Sequence, residues 1–353
     1  MSKQVNQGNC NVMEEGTPRA ANGAEPRSLI NRAKGYLCVA SATLFWGISA
    51  SLGKAVFTGR MKIAGRTVGY IPPMMLSQSR TTFSFLILIA VLLCVRGRRG
   101  VAMRPRELLQ CMALGIFGIA ASNFFYYFAI EKTTVATAII VQYSAPVLVL
   151  LYMLARGRQR ATAARIWGVA LAVTGSMLAI GIVGGTAGFP WFAVGTHRLK
   201  FNGLGVLAAL LAAAAFAFWN VYGGSLVESV GRWQVVLWAM FGAAVGWMLI
   251  NPPARIIAGH YEPQQWLFLL IFAISSSLVP SSLYMWGLEH LDPTRAIVTS
   301  CLEPVFAIVI AAVALGETVN SFQILGIAVV LTATILVQIP ERTKRETVLP
   351  SPE

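Results

Sequence analysis

The sequence predicts an all-α membrane protein of ten transmembrane helices, arranged as two inverted five-helix repeats. Three observations predict it. The chain has 353 residues, of which 56% are hydrophobic and only 12% charged, too apolar for a soluble protein of this size. Apolar runs about long enough to cross a bilayer follow one another along the chain. The chain also repeats itself. YYFAIEKTTVATAIIVQYSAPVLVLL, from Tyr126, lies without a gap over YMWGLEHLDPTRAIVTSCLEPVFAIV, from Tyr284, at a constant offset of 158. Tyr126 thereby meets Tyr284, Glu131 meets Glu289, Ala138 meets Ala296, Pro146 meets Pro304 and Gly168 meets Gly326. Membrane sequences share few glutamates or prolines by accident, so these matches mark an internal duplication.

In chain order, residues 1–34 are polar, mix Glu14, Glu15 and Glu25 with Arg19, Arg27, Arg32 and Lys34, and lack an apolar core. They read as a disordered cytoplasmic tail, not a signal peptide. Spans follow near 35–57, 72–95, 108–130, 134–155 and 163–183, the first repeat covering 35–183. A connector at 184–201 carries GGTAGFPWF, whose Pro190, Trp191 and Phe192 suit an interfacial anchor on the external side. The second repeat covers 202–339, with spans near 202–224, 233–250, 265–288, 294–315 and 320–339, and a second cytoplasmic tail occupies 340–353. Phe45-Trp46 in span 1 resembles Phe218-Trp219 in span 6, which pairs the starts of the two halves. If the N-terminus is cytoplasmic, eighteen of the 28 Lys and Arg fall on that side and seven on the other, which predicts both termini inside. Five spans per repeat is an odd number, so the second copy enters the membrane upside down, a transporter architecture.

The net charge of +14 sits in short connectors without interleaved aromatics, so it is a topology signal and not a nucleic-acid surface. The five cysteines show neither a disulfide framework nor zinc spacing. His197, His260 and His290 all fall in connectors, and HExxH, a paired intramembrane aspartate and a Ser-His couple at membrane depth are all missing. No enzyme, metal or cofactor is expected on those grounds, and without a GxxxxGK[ST] loop the chain is not itself an ATPase.

The chemistry concentrates in Ala296–Leu315, where Glu303 and Pro304 stand side by side in an apolar run. A carboxylate at membrane depth costs about 2.5–3.5 kcal/mol on the mild insertion scale, and proline removes a helical hydrogen bond where no water replaces it. Such a helix must face protein or a water-filled path. Ala296, Thr299, Ser300, Glu303 and Ala307 form its small and polar face, which leaves Ile297, Val298, Leu302, Val305, Ile308 and Val309 for lipid. Glu303 is a candidate to take up a proton or to pair with a cargo ammonium, and equally a candidate structural clamp accepting bonds from Arg80 or from hydroxyls. Arg80 cannot neutralise itself and is expected to find a structural partner in preference to a substrate carboxylate. Lys54 is expected to snorkel to the surface, and Glu131, Glu289 and Glu317 to be solvated features of span ends. Pro146 and Pro304 loosen helices at matching depths, as hinges or as static bends. Trp46, Asn123, Tyr127, Gln142, Trp219, Tyr222 and Tyr284, with Thr299 and Glu303, are the candidate substrate-binding residues. Asn123 and Tyr127 share a helix face, as do Trp219 with Tyr222 and Ser277 with Ser281 and Tyr284. Aromatics at helical spacing are usually packing, but as a group they suggest an amphipathic cargo with an apolar or aromatic side group.

Taken in order, Trp46-Gly47, Arg80, the two repeat signatures, Glu303-Pro304 and the Gly316-Glu317 that closes span 9 resemble the drug/metabolite transporter superfamily. The likeness is to its ten-span exporters built from two EamA-type repeats, and it extends over roughly residues 35–340. The resemblance implies a basket of ten helices around a central cavity, with spans 1, 3, 4, 6, 8 and 9 as its walls, exporting metabolites, amino acids or drugs. Ala145 and Gln159 stand where the second repeat has Glu303 and Glu317, so the halves are not functionally equivalent. The resulting expectation is a bacterial inner-membrane exporter of small organic solutes, amino acids or related metabolites, working by alternating access in the lipid bilayer, with protons as a candidate coupling ion. A multidrug or toxic-compound exporter is one alternative. A non-transporting receptor or scaffold is another, against which the inverted duplication argues.

Overall fold

The computed structural model describes residues 24–57, 62–63, 66–133, 138, 141–179, 202–315 and 321–338. Span 1 is α1 (Ala24–Phe57), followed by a two-residue antiparallel ladder, β1 (Lys62–Ile63) with β2 (Arg66–Thr67). Span 2 is α2 (Pro73–Arg96), and α3 (Arg98–Val101) is a single turn in the next connector. Span 3 joins α4 (Pro105–Ala113) through a π-helical segment, Leu114–Ala120, to α5 (Ala121–Lys132). Spans 4 and 5 carry α6 (Ala145–Ala155) and α7 (Ala163–Ala179). The second repeat begins with α8 (Gly203–Val230) and α9 (Arg232–Ile250), and α10 (Pro253–Ala258) lies in a connector. Span 8 joins α11 (Pro263–Ala273) through the π-helical segment Ile274–Leu278 to α12 (Val279–Leu288). Span 9 is α13 (Pro293–Ser300) and α14 (Glu303–Leu315), and span 10 is α15 (Ser321–Gln338).

Among the described residues, seven helical stretches are long and apolar enough to cross a membrane, three of them the composite spans 3, 8 and 9, and two shorter apolar helices, α6 and α7, stand at spans 4 and 5. Proline at N1 or N2 starts α2, α4, α11 and α13, where its missing N–H is no loss. Asn202 caps α8 by accepting from the Leu204 and Gly205 amides, and Gly97 and Gly231 end α2 and α8 at positive φ.

The expected disordered tail at 1–34 is corrected at its end, because the helix already begins at Ala24. Once the apolar segment has nucleated a helix, adding good helix formers such as Ala24, Glu25, Arg27 and Arg32 costs little. Residues 1–23, the 184–201 connector with its anchor, Gly316-Glu317 and the 340–353 tail lie outside the described residues.

The inversion of the repeats is visible where α7 meets α15, two helices that are equivalent in the duplication. Gly168 lies against Val337, Gly175 against Val330, and Gly326 against Ala179. A Cβ on Gly326 would stand 2.3 Å from the Ala179 nitrogen. Partner numbers fall along one helix as they rise along the other, so the two run antiparallel. Under the offset of 158, Gly168 with Val337 and Gly326 with Ala179 are one contact made twice, as an isologous interface requires. Equivalent helices that run in opposite senses about such a seam come from oppositely inserted repeats. The remaining packing obeys the same exchange, with α5 against α8 and α1 against α12.

The π-helical segments also recur. Ile274–Leu278 overlies residues 116–120 at the same offset. At the first of them glycine brings backbones close, since a Cβ on Gly115 would lie 1.9 Å from the Ala239 carbonyl oxygen. Leu37, Val95, Leu249, Val313 and Ile335 are exposed and form part of the apolar surface that meets lipid. The lipid side expected for span 9 is corrected in part. Ile297, Val298, Leu302 and Val305 are buried, packed with α6, α7, α8 and α15, while Val309 is exposed. An apolar helix face cannot by itself distinguish lipid from an apolar protein interior.

Candidate functional site

Both fourth spans are interrupted directly before their prolines. Helical structure at 141–142 turns at Tyr143-Ser144 before α6, and α13 turns at Cys301-Leu302 before α14. The two turns are equivalent positions at the offset of 158. At each, tighter bonds replace the helical ladder: Ser144 N–H donates to the Val141 carbonyl at 3.0 Å, and Cys301 N–H to the Val298 carbonyl at 3.1 Å. Pro146 and Pro304 thus sit at breaks and not merely at bends.

Glu303 is the first residue of α14, half-buried, and among the described residues its carboxylate accepts no hydrogen bond and forms no ion pair. The expected clamp to Arg80 is not made. Instead Arg80 Nη2 donates to Asn123 Oδ1 at 2.9 Å, and Asn123 Nδ2 donates to the Ile119 carbonyl in the π-helical segment at 2.8 Å. The guanidinium still lies within electrostatic reach of Glu303, as do the Tyr126 and Tyr143 hydroxyls. Gly47 on α1 approaches the backbone of the same turn, where a Cβ would lie 3.3 Å from the Glu303 carbonyl oxygen. Span 1 thus packs on the backbone of the turn that carries Glu303, and polar groups of spans 2, 3 and 4 lie within its electrostatic reach.

An aromatic cluster that unites the two repeats starts from Trp46, the neighbour of the Gly47 that meets the Glu303 turn. Trp46 and its counterpart Trp219 have ring centroids 6.2 Å apart, and Tyr284 lies 5.4 Å from the first and 4.9 Å from the second. Phe216 completes the group, stacked on Trp219 at 5.7 Å. Gly118 in the π-helical segment makes room for Trp219, whose Cβ would lie 2.9 Å from a Cβ placed there. Asn220, fully buried, donates from Nδ2 to the Tyr284 hydroxyl, while its own Oδ1 and Trp219 Nε1 are buried without a partner among the described residues.

Other candidates are dispersed. Tyr127 packs on Tyr126 with centroids 5.6 Å apart, and Gln142 is half-buried just before the span 4 break. Tyr222 stacks on Phe218 at 5.1 Å, outside the aromatic cluster. Thr299 is buried and donates to the Arg295 carbonyl at 2.7 Å, so its hydroxyl proton is already committed. Glu289, expected to be merely solvated, is ion-paired with Arg232, whose guanidinium lies 4.6 Å from the Trp286 ring. The side chains of Lys54 and Glu131 lie outside what is described. Tyr126, Tyr143, Phe216 and Asn220 were not singled out from sequence as binding residues. For Asn220 a signal existed, since a carboxamide is conspicuous in the apolar run of span 6. Among the described residues no three His, Cys, Asp or Glu side chains gather to hold a metal, and Cys38, Cys94, Cys111 and Cys301 are free thiols.

Comparison with known proteins agrees with this architecture. The EamA-like transporter family profile matches residues 33–181 and 203–339. Curated relatives include an uncharacterized inner membrane transporter, YicL, of Salmonella typhimurium, 22% identical over 88% of this chain and 97% of its own length. A second, the uncharacterized inner membrane transporter YedA of Escherichia coli, is 26% identical over 75% of this chain and 81% of its length. The aromatic amino acid exporter YddG of Ancylobacter novellus is 26% identical over 72% of this chain and 83% of its length. A solved crystal structure shares the fold with a TM-score of 0.65 at 18% identity, over 86% of this chain and 97% of that one. Two matching blocks, joined in the structure by an antiparallel seam and sharing one set of broken and π-helical spans, leave one assignment: the chain belongs to the EamA-like transporter family, within the drug/metabolite transporters, and is a multi-pass protein of the inner membrane.

Proposed function

We propose that the chain exports small amphipathic organic solutes, amino acids or related metabolites first, by alternating access, with Glu303 receiving the cargo ammonium or a coupling proton. The observation that carries this reading is the Glu303 carboxylate, half-buried at a helix break and without a protein partner among the described residues. A structural clamp would use its acceptors within the protein, and a desolvated carboxylate left unpaired is costly unless something else meets it. The Trp46–Trp219–Tyr284 cluster, linked to the Glu303 turn through Gly47, supports a cargo with an apolar or aromatic side group. The name of the Ancylobacter relative makes aromatic amino acids a sensible first choice among cargos. Arg80, bonded to Asn123, supports the polar wall of the site in this reading and is not a free anion receptor.

Flux of labelled amino acids and cationic drugs into reconstituted vesicles, with and without a pH gradient, tests it. Glu303→Gln is expected to lower flux of ammonium-bearing cargo by about tenfold or more, the scale of a lost charge-assisted bond. Unchanged rate and unchanged pH dependence in that variant would refute the assignment. Preference for cationic drugs over zwitterionic amino acids would move the cargo to the multidrug alternative.

A further inference from the structure

Away from the site, five side chains tie one end of the molecule together. Asp292, the N-cap of α13, accepts on Oδ1 from the Arg295 amide at 3.0 Å and from Gln159 Nε2 at 2.9 Å. Its Oδ2 lies 3.4 Å from Arg295 Nε and 3.8 Å from Arg165 Nη2. Thr294, fully buried, donates to Gln159 Oε1 at 2.7 Å, which orients the carboxamide toward Asp292. Three pieces of chain meet here: the connector after α6, the first turn of α7 and the first turn of α13. α1 closes on the same place, since a Cβ on Gly35 would stand 2.8 Å from Leu291 Cγ.

The duplication supplies a comparison within the molecule. At the positions equivalent by sequence, the first repeat has Thr134 for Asp292, Ala136 for Thr294 and Thr137 for Arg295, and the second has Glu317 for Gln159 and Gln323 for Arg165. Those residues cannot rebuild a carboxylate held by two guanidiniums and a carboxamide. Alternating access exchanges which end is shut, so a charged attachment that the sequence encodes at one end and not at the other biases the exchange.

We infer that Asp292 is a positioning residue for transport, a latch that fastens the first half of the broken span 9 to the α6–α7 connector and makes the end it closes the harder of the two to open. The inference rests on the alternating-access reading above. α13 leads directly into the Cys301-Leu302 break and Glu303, so releasing Asp292 frees the half-helix that borders the site while α14 stays packed. The Lys and Arg distribution predicts that this end faces the cytoplasm, where the latch would keep the pathway closed between loading events.

The test reads the two ends separately. Tyr127→Cys is introduced into a full-length chain whose five native cysteines are replaced by serine, and its labelling by a membrane-impermeant maleimide is timed from either side of oriented vesicles. Asp292→Asn is expected to speed labelling from the latch side by roughly tenfold, a typical coupling between two conformations, and to slow it from the other side. Asp292→Glu is expected to restore much of the original pattern. Thr134→Asp with Ala136→Thr, Thr137→Arg, Glu317→Gln and Gln323→Arg, which transplants the latch to the opposite end, is expected to shift labelling in the same direction as Asp292→Asn. Faster labelling from both sides would mean a loosened fold and overturn the latch, as would rates unchanged from either side. Failure of the vesicles to move any solute would instead refute the proposed function, since the two-sided labelling does not depend on cargo.

Discussion

Asn123 holds the polar wall of the site together. Its carboxamide oxygen takes the Arg80 guanidinium, and its amide nitrogen donates to the Ile119 carbonyl in the π-helical segment. Asn123→Leu removes both bonds at once. A hydrogen bond to a charged group contributes about 1.5–3 kcal/mol, so the melting temperature of the purified protein should fall clearly in Asn123→Leu. Asn123→Asp, which keeps an acceptor for Arg80, should lose much less. Adding Arg80→Met to Asn123→Leu should recover part of the loss, because it takes away the charge that has lost its partner. An equal fall in all three variants would show that Asn123 matters through shape alone. Much of this site could be read from the residues themselves, since Glu303, Arg80, Trp46, Trp219 and Tyr284 are costly or bulky side chains in apolar helices. What could not be read is which of them meet. Arg80 had several acceptors within conceivable reach, and only the packing of α2 on α5 selects Asn123.

At the scale of helices, the two breaks were foreshadowed by Pro146 and Pro304, because proline both removes a donor and obstructs the preceding turn. The π-helical segments were not, since a single wide turn leaves the hydrophobic pattern and the ungapped alignment intact. The buried flank of span 9 was misjudged for a related reason, as Ile297 and Val298 are as apolar as any lipid-facing residue. Contacts between helices are more demanding than their composition suggests. Gly326→Leu inserts a side chain where even a Cβ would lie 2.3 Å from the Ala179 nitrogen, and such overpacking costs about 1–3 kcal/mol. Detergent-solubilised Gly326→Leu should melt lower and give less monodisperse protein. Gly203→Ala, at a position with no atom within 4 Å of the added Cβ, should be unaffected. If the two behaved alike, the α7–α15 seam would not be the tight contact described.

For the molecule as a whole, the fold followed from periodicity and charge because a bilayer permits few solutions to a chain this apolar. The direction in which it is threaded rests on the Lys and Arg distribution, which predicts that tags at the N- and C-terminus report the same, cytoplasmic, side. Protease added to inside-out vesicles should remove both tags, and added to right-side-out vesicles neither. One tag cut in each preparation would mean an odd number of crossings. The seam between α7 and α15 has a further meaning. A contact that maps onto itself under a half-turn needs no covalent join, and a half-size ancestor inserted both ways round could have used it to pair with itself. Joining the halves in one chain ended the need for them to be alike, and an acid could then settle at 303 while its twin at 145 stayed alanine. A lopsided centre inside a symmetric frame is how such a machine can come to prefer one direction of travel.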